Sequence, residues 1–159
     1  MFKLVPFTKN NPGMKSLFIL CTALCCMSFI NWHYNLNEAK TLAHKEHKHI
    51  LLNFSGSDWC GPCIRLHKEI FGSEQFKKFA DTSLVLLNAD FPRLKKNQLA
   101  ASQQKINDAI ADQYNTKGSF PFTVLLNENG KVLKEWDGFP KETPDAFVDE
   151  VRTVIDADK

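Results

Sequence analysis

Cys60 and Cys63 stand three residues apart in the pentad Trp59-Cys60-Gly61-Pro62-Cys63. Two sulfurs at this spacing on a helix lie one turn apart on the same face, close enough to close a small, reversible disulfide. A cysteine at the first turn of a helix meets unpaired backbone N–H groups and the positive end of the helix dipole, which favour its thiolate. That environment brings a cysteine pKa from about 8.5 to roughly 3.5–7.5. The chemistry that follows is exchange. The Cys60 thiolate attacks a disulfide, and Cys63 then attacks Cys60 and releases the first partner; run backwards, the same steps oxidise a dithiol. Gly61 allows another polypeptide to come close, Pro62 needs no N–H so early in a helix, and Trp59 offers a flat apolar shoulder beside a sulfur read as exposed.

The competing use of such a pair is half of a structural zinc site. Zinc in those sites takes four ligands, and the sequence holds no second CxxC, so no metal site is expected. His44, His47 and His49 cluster in a lysine-rich segment. A strand starting near His49 breaks their helical spacing, and they read as solvated histidines at a helix end. His67 reads as an exposed helical residue one turn beyond Cys63. The basic run Arg93, Lys95 and Lys96 reads as a solvated loop, with partner docking as the alternative. Trp136 and Phe139 read as core or edge residues rather than a substrate surface.

The elements that must position the pair are legible around it. His49–Ser55 (HILLNFS) is an apolar run ending in the Gly56-Ser57 turn signal and reads as a buried strand feeding the pentad. After the pentad, Cys63, Leu66 and Ile70 continue at helical spacing. Ser73 caps a short helix carrying Phe76, Phe79 and Ala80. Ser83–Asp90 (SLVLLNAD) reads as a second buried strand, Phe91–Asn97 as a polar basic loop, and Gln98–Tyr114 as a helix with Leu99, Ile106, Ala109 and Ile110 inward. Phe122–Asn127 and Lys131–Trp136 flank Asn127-Glu128-Asn129-Gly130, a hairpin signal. The last helix opens with Thr143 at the cap and Pro144 at its first position, burying Phe147, Val148, Val151, Val154 and Ile155. Before the first strand, Asn35 or Asn37 caps a helix with Leu36, Ala39, Leu42 and Ala43 on one face. The expected architecture is one α/β sheet of about four strands, two parallel plus an antiparallel hairpin, with helices on both faces.

Composition sets the outer bounds. The chain has 159 residues, 43% hydrophobic and 24% charged, which excludes wholesale disorder. Leu17–Ile30 is an apolar run with only Thr22 and Ser28 polar, preceded by Lys15. Secretory apolar cores run about 7–15 residues and spanning helices about 20, so residues 1–32 read as an N-terminal extension with a signal peptide or membrane anchor. Lys3, Lys9 and Lys15 all precede this run; without them 17 basic residues face 18 acidic ones, a net charge of −1. No nucleic-acid partner is expected from so neutral a domain. Cys21, Cys25 and Cys26 lie in the apolar run. An exported domain left with a single closely spaced pair uses it for chemistry or metal, not as a structural staple.

The pentad, the strand before it and Phe120-Pro121 before a hairpin resemble the thioredoxin superfamily over roughly residues 35–157. NFSGSDWCGPC at 53–63 and NADFP at 88–92 resemble exported bacterial thioredoxin-like disulfide interchange proteins. The resemblance implies a thioredoxin-like fold over residues 33–159, with Cys60 and Cys63 catalytic and Trp59, Gly61 and Pro62 completing the motif. It implies a cis Phe120–Pro121 bond facing the pair, where a substrate strand binds. Gly-Pro is the dipeptide of thioredoxin, whose couple lies near −270 mV against about −120 mV for the oxidase DsbA. The expectation is therefore a thiol:disulfide oxidoreductase that reduces protein disulfides in the periplasm, monomeric and without a cofactor. A membrane thiol-electron transporter would supply its electrons. Oxidase, isomerase, and a non-enzymatic metal-binding or scaffold role on the same fold remain alternatives. Three positions depart from the family pattern: Asn53 stands where a buried Asp is usual, Leu86 replaces its accompanying lysine, and Lys68 occupies the place of a helix proline. Asp58 or water is then the group expected to handle the Cys63 proton.

Overall fold

The computed structural model describes residues 31–158; the segment read as a signal or anchor, residues 1–30 of it, lies outside them. The chain runs β1 (Trp32–His33), α1 (Leu36–Glu46), β2 (His49–Ser55), α2 (Gly61–Arg65), α3 (Glu74–Ser83), β3 (Leu84–Asp90), α4 (Ala101–Tyr114), β4 (Phe122–Leu126), β5 (Val132–Asp137) and α5 (Pro144–Ala157). The sheet has five strands in the order β1-β3-β2-β4-β5. β2 lies parallel to β3 and antiparallel to β4, and β5 closes the hairpin. This is the expected mixed sheet with one strand more. The addition is β1, two residues that pair parallel with Leu86 and Leu87 of β3.

Period-two alternation divides the sheet into two packed faces. Leu51, Leu86 and Leu125 point to one side and meet Phe76, Phe79, Phe147, Val151 and Ile155 from α3 and α5. Ile50, Leu52, Phe54, Leu87, Val124 and Leu126 point to the other and meet Ala39, Ala43, Ile110 and Tyr114 from α1 and α4. Both faces of β2 and β3 are covered, which is why these strands read as continuous apolar runs. Asn35, Ser73 and Thr143 cap α1, α3 and α5 through their side-chain oxygens. Trp136 and Phe139 pack against the first core, and Trp136 Nε1 donates to Glu150 at 2.8 Å.

Two helices depart from their expected form. In α4 Asn107 is buried beside Ile110 and Tyr114 while Ala109 is exposed; Asn107 Nδ2 donates to the Asp90 carbonyl at 2.8 Å and so satisfies the end of β3. Beyond Arg65, α2 continues as a π-helix over Leu66–Phe71, in which Leu66, Ile70 and Phe71 are all buried. In a regular α-helix Phe71 would sit roughly 140° around the axis from Leu66. Bonding from i to i+5 brings residues five apart over one another, so all three share the core face. The irregularity falls around Lys68, where the resemblance led one to look for a proline.

Candidate active site

The last residues of β2 determine where the cysteines go. Trp59 N–H and Cys60 N–H both donate to the Gly56 carbonyl, at 3.2 and 2.8 Å, and this tight turn delivers Cys60 to the N-cap of α2. Gly56 also makes room for Trp59: a Cβ there would lie 2.3 Å from the indole. The indole is fixed at its other edge by Nε1–H donating to the Phe91 carbonyl at 2.7 Å. Cys60 and Cys63 form a disulfide, with 5.2 Å between their Cα atoms, and Cys63 N–H donates to the Cys60 sulfur at 3.2 Å. Pro62 lies in the first turn, while Gly61 is exposed with open space where a Cβ would stand. The expectation of an exposed sulfur needs correction for this oxidised state, because Cys60 and Cys63 are each only 4% exposed.

Phe120 and Pro121 lie just before β4, and Phe120 reaches the pentad through Trp59. The peptide bond between them is cis, as the resemblance implied. The Phe120 ring packs edge-on against Trp59 at 5.4 Å and against Phe91 at 5.6 Å. An aromatic wall therefore runs beside the disulfide from three separate parts of the chain.

Behind Cys63 a cleft of about 310 Å³ is lined by Asn53, Ser55, Ser57, His67, Lys68 and Asn88 as well as Cys63 and Ile64. Asn53, at the position of the usual buried Asp, donates from Nδ2 to Asn88 Oδ1 at 2.9 Å and accepts from Thr123 Oγ1 at 3.4 Å. Ser55 Oγ lies 3.2 Å from Asn88 Oδ1 and 2.9 Å from Asp90 Oδ1, two acceptors that share its single proton. The cleft thus surrounds Cys63 with amides and hydroxyls rather than a carboxylate. Leu86 is buried in the core and takes no part. His67 is exposed but does line the cleft, its ring 5.9 Å from that of Trp32.

Asp58 does something the sequence did not indicate. Its carboxylate accepts from Arg93 N–H and Leu94 N–H, each at 2.9 Å, and from Asn97 Nδ2 at 3.0 Å. It therefore staples the 93–97 segment, with its 3-10 turn at Lys95–Asn97, beside the pentad. The Arg93 guanidinium lies over the Trp59 ring, 3.5 Å from its centroid. The Arg93 amide above all, helped by Asn97 and Leu94 against partial burial, holds the Asp58 carboxyl below its ordinary range. A carboxyl lowered in the folded state stabilises the fold above its unfolded value of about 4 and loses that contribution as pH falls through its lower folded value. The staple is therefore intact at neutral pH and weakens only as pH falls below the ordinary carboxylate range. Asp58→Ala should strip the Arg93 and Leu94 amides of hydrogen-exchange protection at pH 7 while leaving the β2 amides protected.

The remaining candidates lie apart from the pair. His47 ends α1 in the left-handed conformation. His49 is not a solvated residue: it is half-buried, with Nε2 3.2 Å from Asp158 Oδ2. Among the described residues no group of three or more His, Cys, Asp or Glu is placed to hold a metal ion. Asp58, expected to handle the Cys63 proton, orders the 93–97 segment instead, and the bonding of Asp90 to Ser55 and Ser57 was not foreseen, because the partners of both lie on other elements.

A disulfide at the turn from β2 into α2, with a cis-proline just before the neighbouring strand β4, defines the class as a dithiol exchange site on a thioredoxin-like fold. A family model described as a thioredoxin-like domain matches residues 36–155, and the chain belongs to the thioredoxin superfamily as a thiol:disulfide oxidoreductase. It is 36% identical over 119 residues to the disulfide bond reductase DsbH of Chlamydia pneumoniae, covering 74% of this chain and 69% of that one. The thioredoxin-related protein DsbJ of the same organism is 25% identical over 159 residues, 92% of this chain but 45% of DsbJ. A solved structure titled DsbH oxidoreductase superposes with a TM-score of 0.72 at 33% identity, covering 80% of this chain and 85% of that one. A thioredoxin from Thermus thermophilus, at 17% identity and a TM-score of 0.59 over 81% of this chain and 88% of its own, shares the fold.

Proposed function

We propose that the protein reduces protein disulfides outside the cytoplasm, with Cys60 as nucleophile and Cys63 as resolving thiol. The observation that carries this reading is the Cys60–Cys63 disulfide enclosing Gly-Pro at the start of α2. In the reduced protein the Cys60 thiolate attacks one sulfur of the substrate disulfide. That bond breaks, its electron pair leaves on the second substrate sulfur, and a proton follows. Cys63, deprotonated into the polar cleft, then attacks Cys60, and the first substrate sulfur departs as a thiol. Two electrons have passed to the substrate, and the protein is left as its disulfide. Trp59 and Phe120 shield the exchanging sulfurs, Gly61 and Pro62 keep the turn open and stiff, and backbone groups beside Pro121 bind the substrate strand.

Three considerations support the reductive direction. Gly-Pro is the thioredoxin dipeptide, and a relative at 36% identity is a disulfide bond reductase. Amides and hydroxyls, rather than a carboxylate, line the cleft beside Cys63 together with His67 and Lys68. The apolar run at Leu17–Ile30 supports a periplasmic location, free or anchored, with a membrane thiol-electron transporter as the source of electrons. The expected reduction potential of the Cys60–Cys63 couple is near −270 mV, measured by equilibration with a glutathione or dithiothreitol buffer. A value near the −120 mV of an oxidase would reverse the direction.

A further inference from the structure

We infer that the 93–97 segment is a recognition lip that selects polypeptides with acidic residues beside the reactive disulfide. This deepens the reductase reading and rests on it. The segment carries Arg93, Lys95 and Lys96 in five residues. A flexible basic loop would be only a solvated face, but this one is built. Asp58 holds it with three hydrogen bonds from the position two before Cys60. Arg93 stacks on the residue next to Cys60, and neither its guanidinium nor Lys95 or Lys96 has a carboxylate partner among the described residues. Lys68, on the wall of the cleft, makes no ion pair among the described residues, and the neighbouring Glu69 carboxylate is bonded to Arg65.

The charge balance around the pair is therefore lopsided. Once Glu69 is set against its partner Arg65, the cations Arg93, Lys95, Lys96 and Lys68 face two carboxylates. Asp58 is committed to the loop, and Asp90 to Ser55 and Ser57. A separate hollow sets Lys117 against two carboxylates, Glu135 and Asp137. Two apolar side chains accompany the cations. Ile64, the residue after Cys63, is 49% exposed, and Leu94, within the lip, is 48% exposed. They are two of only four large hydrophobic residues so exposed among the described ones. The occupant that fits is an extended segment with a cystine at Cys60, an apolar residue for Ile64 or Leu94, and Asp or Glu reaching toward Arg93, Lys95 and Lys96. A field of one sign beside a reactive group raises the encounter rate of the opposite sign by tenfold or more, and salt screens it.

The test uses the reduced full chain and three synthetic peptides, each closed by one cystine and identical except for Asp, Lys or Ser on both flanks. Second-order rates of reduction are normalised to the rate with dithiothreitol, which removes the intrinsic effect of flanking charge on the cystine. The Asp peptide should react about tenfold faster than the Lys peptide at about 10 mM salt, and within about twofold of it at about 0.5 M. Charge reversal in Lys95→Glu/Lys96→Glu should abolish or invert that order and leave the Ser peptide within about twofold of the unaltered protein. Equal normalised rates for Asp and Lys peptides at low salt, with the Ser peptide readily reduced, would overturn the lip and leave the reductase reading standing. Failure to reduce any of the three would instead sink the reductase reading.

Discussion

A Cys63→Ser variant is expected to stop after its first step and accumulate covalent adducts through Cys60. Cys60 sits at the cap of α2, and Cys63 lies one turn on, its N–H donating to the Cys60 sulfur at 3.2 Å. The resolving sulfur is thus held against the bond it must break. Well-oriented intramolecular reactions have effective molarities of about 10⁵–10⁸ M. Dissolved thiols at millimolar concentration cannot match that, so turnover should fall by about a thousandfold or more. Serine preserves the size of the side chain and the backbone donor, which leaves the attacking half of the site intact. On non-reducing gels the variant should run as a ladder of higher-mass species that dithiothreitol collapses. Cys60→Ser should lose turnover as completely and form none of them. Adducts of equal yield in both variants, or in neither, would contradict the assigned roles.

The parts of this site that were legible in the sequence are those whose cause is local. The strand His49–Ser55 was read with the bounds it has, because a run covered on both faces is apolar throughout. Thr143 and Pro144 marked the start of α5 by cap chemistry alone. The disulfide followed from spacing. What escaped notice depends on partners distant in the chain. β1 has two residues and no pattern of its own; it exists because the edge of β3 accepts it. The 93–97 segment read as a solvated loop because its cations are conspicuous, while the carboxylate that orders it belongs to Asp58, 35 residues before Arg93. Asn107 is not among the residues that apolar spacing turns inward on α4, and it is buried because its side chain bonds the Asp90 carbonyl. The π-helix at 66–71 satisfies a packing demand that helical periodicity misdescribes, since Leu66 and Phe71 share one face only if the regular bonding is broken.

That packing demand makes Phe71→Ala the substitution with the largest expected cost in stability. Phe71 is 2% exposed and closes the helix that carries Cys63. Its ring lies 4.9 Å from Phe76, 5.4 Å from Trp32 and 6.2 Å from Phe147, so it joins the active-site helix to β1, α3 and α5 at once. Truncating a buried Phe costs about 3–5 kcal/mol when the surroundings cannot collapse. Here the neighbours are aromatic rings already locked against one another, and collapse is hindered. Urea unfolding of the oxidised protein should show a loss in that range at an unchanged denaturant slope. Phe71→Leu, which keeps most of the apolar volume, should lose much less. The π segment supplies a sharper contrast. With Phe71 gone, nothing holds residues 66–71 out of regular α-helical bonding, and rewinding would recover part of the loss. A loss under about 1 kcal/mol would mean that this rewinding had refilled the core, and that the aromatic ring causes the helical irregularity without supporting the site above it.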